Sequence, residues 1–249
     1  MKQIVTLLLA LLCLVTQTGT VLATASTHVW APSTDIQPFK LYHITYDLYL
    51  PVERDDAGSR WPTVTNIGLT AGILPGTKVN MEIGFDHKSG LGALDDYPIY
   101  LNAKIGTPEK SLGTWSPALA VGIFDVGLKS DLTNYNVIYA KAAWTLMIDS
   151  LSLGRFSAGY FSGNDTLLRD DKGEKDNTGV LIAWERTMSE ISDKLWLCVD
   201  YMGSKSAYGS INVGASWKFA SNVALIVGYD IYNNDAIPAT STLQVDIDF

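Results

Sequence analysis

Apolar and polar residues alternate along most of this chain. From Leu243 to Phe249, the residues Leu243, Val245, Ile247 and Phe249 share one parity and Gln244, Asp246 and Asp248 the other. A period of two marks a strand with one apolar and one polar face. The pattern occurs first at Tyr42–Leu50, where His43, Thr45, Asp47 and Tyr49 oppose the apolar set. It returns around 62–72, Val79–Phe85, Ile99–Ile105, Leu119–Ile123, Ile138–Leu146, Phe156–Tyr160, Val180–Trp184, Leu195–Tyr201, Ile211–Trp217 and Leu225–Ile231. The spacing predicts an all-β chain of about twelve antiparallel strands, each of about ten residues.

The connections alternate as well. Polar stretches at 51–60, 86–96, 125–134, 163–178, 203–207 and 233–239 interleave with mostly tighter links near 74–76, 108–113, 149–150, 188–193 and 221–222. Aromatic residues gather at the strand ends. Trp115, Trp144, Trp184, Trp196 and Trp217 fall toward one side, and Phe85, Tyr97, Tyr135, Tyr160, Tyr201 and Tyr229 toward the other. A soluble β-sandwich or small barrel also alternates, with its apolar face inward. Two aromatic bands flanking an apolar belt instead fit a barrel standing in a bilayer, apolar face outward.

The N-terminus points to export. Met1-Lys2-Gln3 is followed by the apolar run Ile4–Val15 and by Ala23-Thr24-Ala25, a small-x-small site. Residues 1–25 therefore read as a secretory signal peptide, the run being too short to span a bilayer. Residues 26–38, with Trp30, Pro32 and Pro38, show no period. They are expected to form a periplasmic lead-in, too short to plug a barrel formed by 39–249. The leader carries only Lys2 of the 18 Lys and Arg, leaving 17 against 26 acids, a net charge of −9. That balance argues against nucleic acid as a partner. Cys13 lies in the leader, so Cys198 alone remains and no internal disulfide is possible.

With its alternating final strand ending in Phe249, the chain resembles the bacterial outer-membrane β-barrel proteins, porin-like and of about twelve strands. The resemblance implies outer-membrane lipid as surroundings and recognition of the final strand by the barrel assembly machinery. The polar parity then faces a lumen lined by Asp47, Glu82, Lys104, Lys141, Arg155, Glu185, Asp200, Lys218 and Asp230. Both signs of charge occur there, which suits internal ion pairs that occlude the lumen or lining charges that set selectivity. It does not match the strongly basic lumens of channels for acidic sugars. The expected function is a narrow passive channel for small solutes or ions, open or occluded. The alternative is a structural barrel without transport. No cofactor or metal is expected: His43 and His87 lie on different strands, and Asp170-Asp171-Lys172-Gly173-Glu174 lacks calcium-loop spacing.

Gly84-Phe85-Asp86-His87-Lys88-Ser89-Gly90 resembles the His-x-Ser segment of the outer-membrane phospholipase A family. That resemblance implies His87 as base and Ser89 as nucleophile on the lipid-facing side. The family continues Ser-Asn-Gly where this chain has Ser89-Gly90-Leu91, and Asn102 has lumenal parity. The chain is accordingly expected not to be an enzyme.

Overall fold

The computed structural model describes residues 26–249 apart from 56 and 150, so the expected signal peptide lies outside the described residues. Twelve strands follow in chain order: β1 (Tyr42–Pro51), β2 (Val64–Gly72), β3 (Asn80–Ser89), β4 (Ile99–Thr107), β5 (Ala118–Gly127), β6 (Asn134–Ile148), β7 (Leu151–Ser162), β8 (Thr178–Thr187), β9 (Leu195–Met202), β10 (Ser210–Ala220), β11 (Val223–Tyr232) and β12 (Thr240–Asp248). Each pairs antiparallel with the next, and β12 pairs with β1, so the sheet is a closed barrel. At the seam Ile44 lies opposite Ile247, and Leu48 opposite Leu243. The Tyr42 and Phe249 backbones exchange hydrogen bonds of 2.8 and 2.9 Å, and their rings stack with centroids 5.7 Å apart.

The alternation decides which way each side chain points. Ile67, Val121, Ile138, Ile182 and Val227 are half exposed on the outer face. Glu82, Lys104, Lys141, Asp200, Asp230 and Gln244 are buried inside. This inverts the arrangement of a water-soluble protein, whose charges lie outside.

Several placements differ from the sequence expectation, among them residues 86–89, which continue β3 where a loop was expected. Strand β5 continues past Asp125, which was expected to open a loop. A bulge there, with Asp125 at φ 52°, shifts the register between Phe124 and Val126, and the Asp125 side chain is buried in the lumen. A bulge puts two residues opposite one, which re-aims a side chain that strict alternation would send elsewhere. Tyr135 and Trp196, assigned to the aromatic bands, belong to the inside. Tyr135 packs edge-on to Tyr208 at 5.6 Å, and the Trp196 indole N–H donates to Glu185 at 3.0 Å.

The largest difference concerns residues 26–38. They do not stay outside as a lead-in; they enter the lumen. The segment doubles back on itself, with His28 N–H donating to Ala31 O at 2.8 Å and Ser33 N–H to Ser26 O at 3.1 Å. His28, Val29, Ala31, Pro32, Ser33, Thr34 and Gln37 are all buried. A compact turn of this length fits inside a narrow barrel and reaches several of its strands.

Three glycines permit this course. The segment leaves the lumen over Gly72, where an added Cβ would lie 2.0 Å from Pro38 O, so no side chain fits. Lys40 N–H then donates to Gly72 O, and Gly72 N–H to Leu41 O, before β1 begins. Deeper inside, Val29 sits in a hollow between Gly214 and Gly228. A Cβ at these positions would meet Val29 methyls at 2.7 and 2.9 Å.

Filling the Val29 hollow should unseat the segment without opening the barrel. Gly214→Leu is expected to weaken seating by about 1–3 kcal/mol, the usual cost of overpacking. The variant should keep the gel mobility of folded barrel in unboiled samples while residues 26–38 become cleavable by protease. Unchanged resistance to cleavage would contradict the seated arrangement.

Candidate lumenal site

Asp200 on β9 is the main anchor of the inserted segment. Its carboxylate accepts the backbone N–H groups of Val29 (2.8 Å), Trp30 (3.0 Å) and Ala31 (3.1 Å), and the Asn212 amide at 2.7 Å. A turn of successive N–H groups around one carboxylate is a small anion-binding nest. Bonds of this charge-assisted kind are stronger than neutral ones.

Other strands hold the rest of the segment. Lys141 on β6 donates to Pro32 O at 2.8 Å. Glu82 on β3 accepts from Ser26 Oγ at 2.8 Å and from Gln37 N–H at 2.6 Å, and pairs with Lys104 at 3.2 Å. Lys104 also donates to the backbone carbonyls of Ser26 and Asp35. Arg155 on β7 binds both oxygens of Asp35 and pairs with Glu185. Gln244 on β12 donates to Val29 O at 2.7 Å, and Gln37 donates to Asp248 at 2.7 Å. The segment thus touches strands around the whole circumference.

The tip of the turn carries Trp30. Its indole N–H donates to Tyr208 O at 3.0 Å, and its ring meets Tyr49 and Tyr232 edge-on at 5.3 and 5.7 Å. Beside the turn and beyond its tip lies a cavity of about 530 Å³, lined from His43, Glu82 and Lys104 on the Phe249 side to Leu91 and Pro238 at the far rim. Its walls carry two polar groupings. In one, Asn66 Nδ2 bridges Asp47 (3.0 Å) and Asp86 (3.1 Å), with Thr45 donating to Asp47 and Asn102 to Asp86. In the other, Lys88 donates to both oxygens of Asp125 at 2.6 and 2.7 Å, and the Tyr208 hydroxyl donates to the same carboxylate. Burial and the neighbouring Asp125 push the Tyr208 phenol well above its ordinary pKa, so it remains a donor.

Of the residues expected to line the lumen, Asp47, Glu82, Lys104, Lys141, Asp200 and Asp230 are buried, and Arg155 and Glu185 nearly so. Six of them, Glu82, Lys104, Lys141, Arg155, Glu185 and Asp200, meet in the network around the inserted segment. Asp47 belongs to the cavity wall. Asp230 accepts from Thr240 at 2.8 Å, apart from both groups. Lys218 is half-buried near the rim that carries Phe249.

Sequence reasoning missed Asp35, Gln37, Asp86, Asp125 and Tyr208. One signal could have exposed the insertion. The cross-strand neighbours of Asp200 are Asn212 and Ala183, and those of Lys141 are Ala120 and Gly159. Neither charge meets an opposite charge within the sheet, so each needs a partner from elsewhere.

The His87 and Ser89 positions do not form a nucleophile–base pair. Ser89 Oγ bonds Thr65 Oγ1 at 2.6 Å, while His87 stands exposed on the outer face between Ile67 and Ile99. Among the described residues no group of His, Cys, Asp and Glu is arranged to hold a metal ion.

His28 lies within the charged network. Its ring is buried, neither nitrogen has a hydrogen-bond partner, and Glu185 stands 3.8 Å away. Burial first, then the cations of Lys141, Arg155 and Lys104, hold its pKa well below the ordinary 6.5. The seated imidazole is therefore neutral.

No protein-family model matches the chain, and no curated protein matches it. Solved structures show a distant likeness in fold. An outer membrane channel from Pseudomonas putida F1 is 12% identical with a TM-score of 0.46, covering 86% of this chain and 97% of that one. The Acinetobacter baumannii outer membrane protein Omp33 is 11% identical with a TM-score of 0.42, covering 84% and 98%. Outer membrane phospholipase A from Escherichia coli is 10% identical with a TM-score of 0.41, covering 86% and 94%.

Removing the anchor should release the turn. Asp200→Ala leaves three backbone N–H groups without their acceptor, at about 1–3 kcal/mol for each that stays buried. Hydrogen exchange at Val29, Trp30 and Ala31 should speed up by at least about a hundredfold, while the strand amides of β1 and β12 keep their protection.

Seating should also respond to acid through His28. Above 6.5 the ring is neutral whether the segment is seated or released, so pH makes no difference there. Below it the released ring takes up a proton that the seated ring refuses, which favours release by up to about tenfold per pH unit. Exchange protection of the segment in wild type, compared with His28→Leu, should therefore fall progressively from neutrality to about pH 5. A constant ratio between the two proteins across that range would contradict the assignment.

Proposed function

We propose that this chain is an exported outer-membrane barrel whose resting lumen is occluded by its own residues 26–38, a narrow channel held closed. The outward apolar face supports the membrane setting. Trp144, Phe156, Trp217 and Phe219 stand exposed toward one rim, and Phe85, Tyr97, Tyr160 and Tyr229 toward the other. Such bands match the aromatic girdles of membrane barrels. The leader at 1–25 would direct export, and the β12 strand with Phe249 would be the stretch that the assembly machinery reads.

The observation that carries the occlusion is the set of hydrogen bonds joining residues 26–37 to β3, β4, β6, β7, β9 and β12. Main chain seated in this way takes up much of that section and leaves only the cavity beside it. The charges within it serve as anchors for the segment in place of lining a pore. Opening then requires the segment to withdraw, breaking charge-assisted bonds at several strands together.

Planar-bilayer recording tests this reading. Wild-type protein should be silent or show rare brief steps at neutral pH. A variant lacking residues 26–38 should give frequent stepwise conductance. Steady conductance from wild type, or equal silence from the deletion once its barrel is shown to be folded, would refute the occluded channel.

A further inference from the structure

The cavity beyond Trp30 is a built pocket, and its chemistry selects a ligand. Its volume of about 530 Å³ falls within the range of small-molecule sites. Trp30, Tyr49, Tyr139 and Tyr208 provide aromatic wall, with Trp61 nearer the far rim. The inserted turn forms one side, the barrel wall from His43 and Lys104 to Lys88 and Tyr100 the others, and the connections at 90–98, 203–209 and 233–239 lie at the far end.

Its charges are not balanced. Lys88 is held by both oxygens of Asp125 and lies over the Tyr100 ring at 4.9 Å. Lys104 is engaged by Glu82 and by two carbonyls of the inserted segment. His43 lies between Asp246 and Asp248 at 3.2 and 2.9 Å. The cations on the wall are therefore all committed to acids. Asp47 and Asp86 differ: the hydrogen bonds they receive come from Thr45, Asn66 and Asn102, all neutral. Neither forms an ion pair among the described residues. Asn66 Oδ1 between them, Tyr100 Oη and Asp246 Oδ2 on the same wall are acceptors or donors without a partner.

We propose that this pocket binds a small organic cation: one ammonium group on an apolar or aromatic body of about one ring. The ammonium would sit against Asp47 and Asp86, adding counter-charge where the nearby cation, Lys88, is already bonded to Asp125. The body would pack on the Trp30, Tyr49 and Tyr208 rings, whose faces attract cations and whose edges attract other rings. An anion would meet no uncommitted cation, and a neutral polyol would leave the two carboxylates uncompensated. Because Trp30 is the tip of the inserted turn, the occupant would rest directly on the element that closes the lumen. Binding itself does not depend on whether the barrel conducts.

Calorimetric titration of the full chain, refolded in detergent, tests the site with benzylamine, benzyl alcohol and benzoate as probes. Benzylamine should bind saturably with one site per chain, benzyl alcohol at least about tenfold more weakly, and benzoate not at all. Asp47→Asn combined with Asp86→Asn keeps the side-chain shapes and should weaken benzylamine at least about tenfold. Folding of that variant is checked by gel mobility of unboiled samples, and Asp47→Asn alone serves if the double variant does not fold. The proposal fails if benzylamine shows no saturable binding, if benzyl alcohol or benzoate binds as tightly, or if the folded variant binds benzylamine like wild type. Bilayer conductance, measured separately, reports on the occluded channel and is unaffected by any of these outcomes.

Discussion

The pairing of β1 with β12 removes the last free edge of the sheet, and with it the choice of what each face can do. Strand N–H and C=O groups find neighbours around the whole ring, so the outer surface can afford to be mostly apolar. Closure also encloses a lumen of set width, lined by whatever residues share the inward parity. Here those include carboxylates, lysines and an arginine, none of which tolerates a dry interior without a partner. The inserted turn follows from that requirement. It brings main-chain donors to Asp200, carbonyls to Lys141 and Lys104, and a carboxylate to Arg155.

The turn gives the lumen two regions of different character, joined by the cavity beside it. Toward the rim near Phe249 it is a dense network in which charges meet backbone groups and one another. Beyond Trp30 it is an aromatic-walled hollow with spare negative charge. Both parts derive from the same strands, and the difference arises from where residues 26–38 reach. Trp30 belongs to both, bonded to Tyr208 and lining the hollow.

Much of this architecture was legible in the sequence because period-two alternation is a local signal. The strands and their inward set follow from parity, and eight of the nine residues expected in the lumen are buried or nearly so. The failures occur where parity breaks or where partners are distant. Asp125 escaped because a bulge with positive φ puts it on a face that counting does not predict. Tyr135 and Trp196 lie close to strand ends, where girdle and lumen positions differ only in direction. Residues 26–38 have no period at all, and their partners lie far along the chain: 171 positions separate Val29 from Asp200, and 211 separate Gln37 from Asp248. The lack of an oppositely charged cross-strand neighbour beside Asp200 and Lys141 was the one trace of the insertion.

The distribution of the turn's partners bears on how the barrel comes to be correct. Its docking surface is assembled from β3, β4, β6, β7, β9 and β12, and no single hairpin offers more than a fragment of it. A slip of one residue at any seam would turn a strand's inward set to the outside and take its anchor away. The turn can therefore seat fully only in a sheet that has closed in register. It acts as a gauge of the finished barrel, and a mispaired one is left with an unfilled, charged interior and correspondingly little to hold it together.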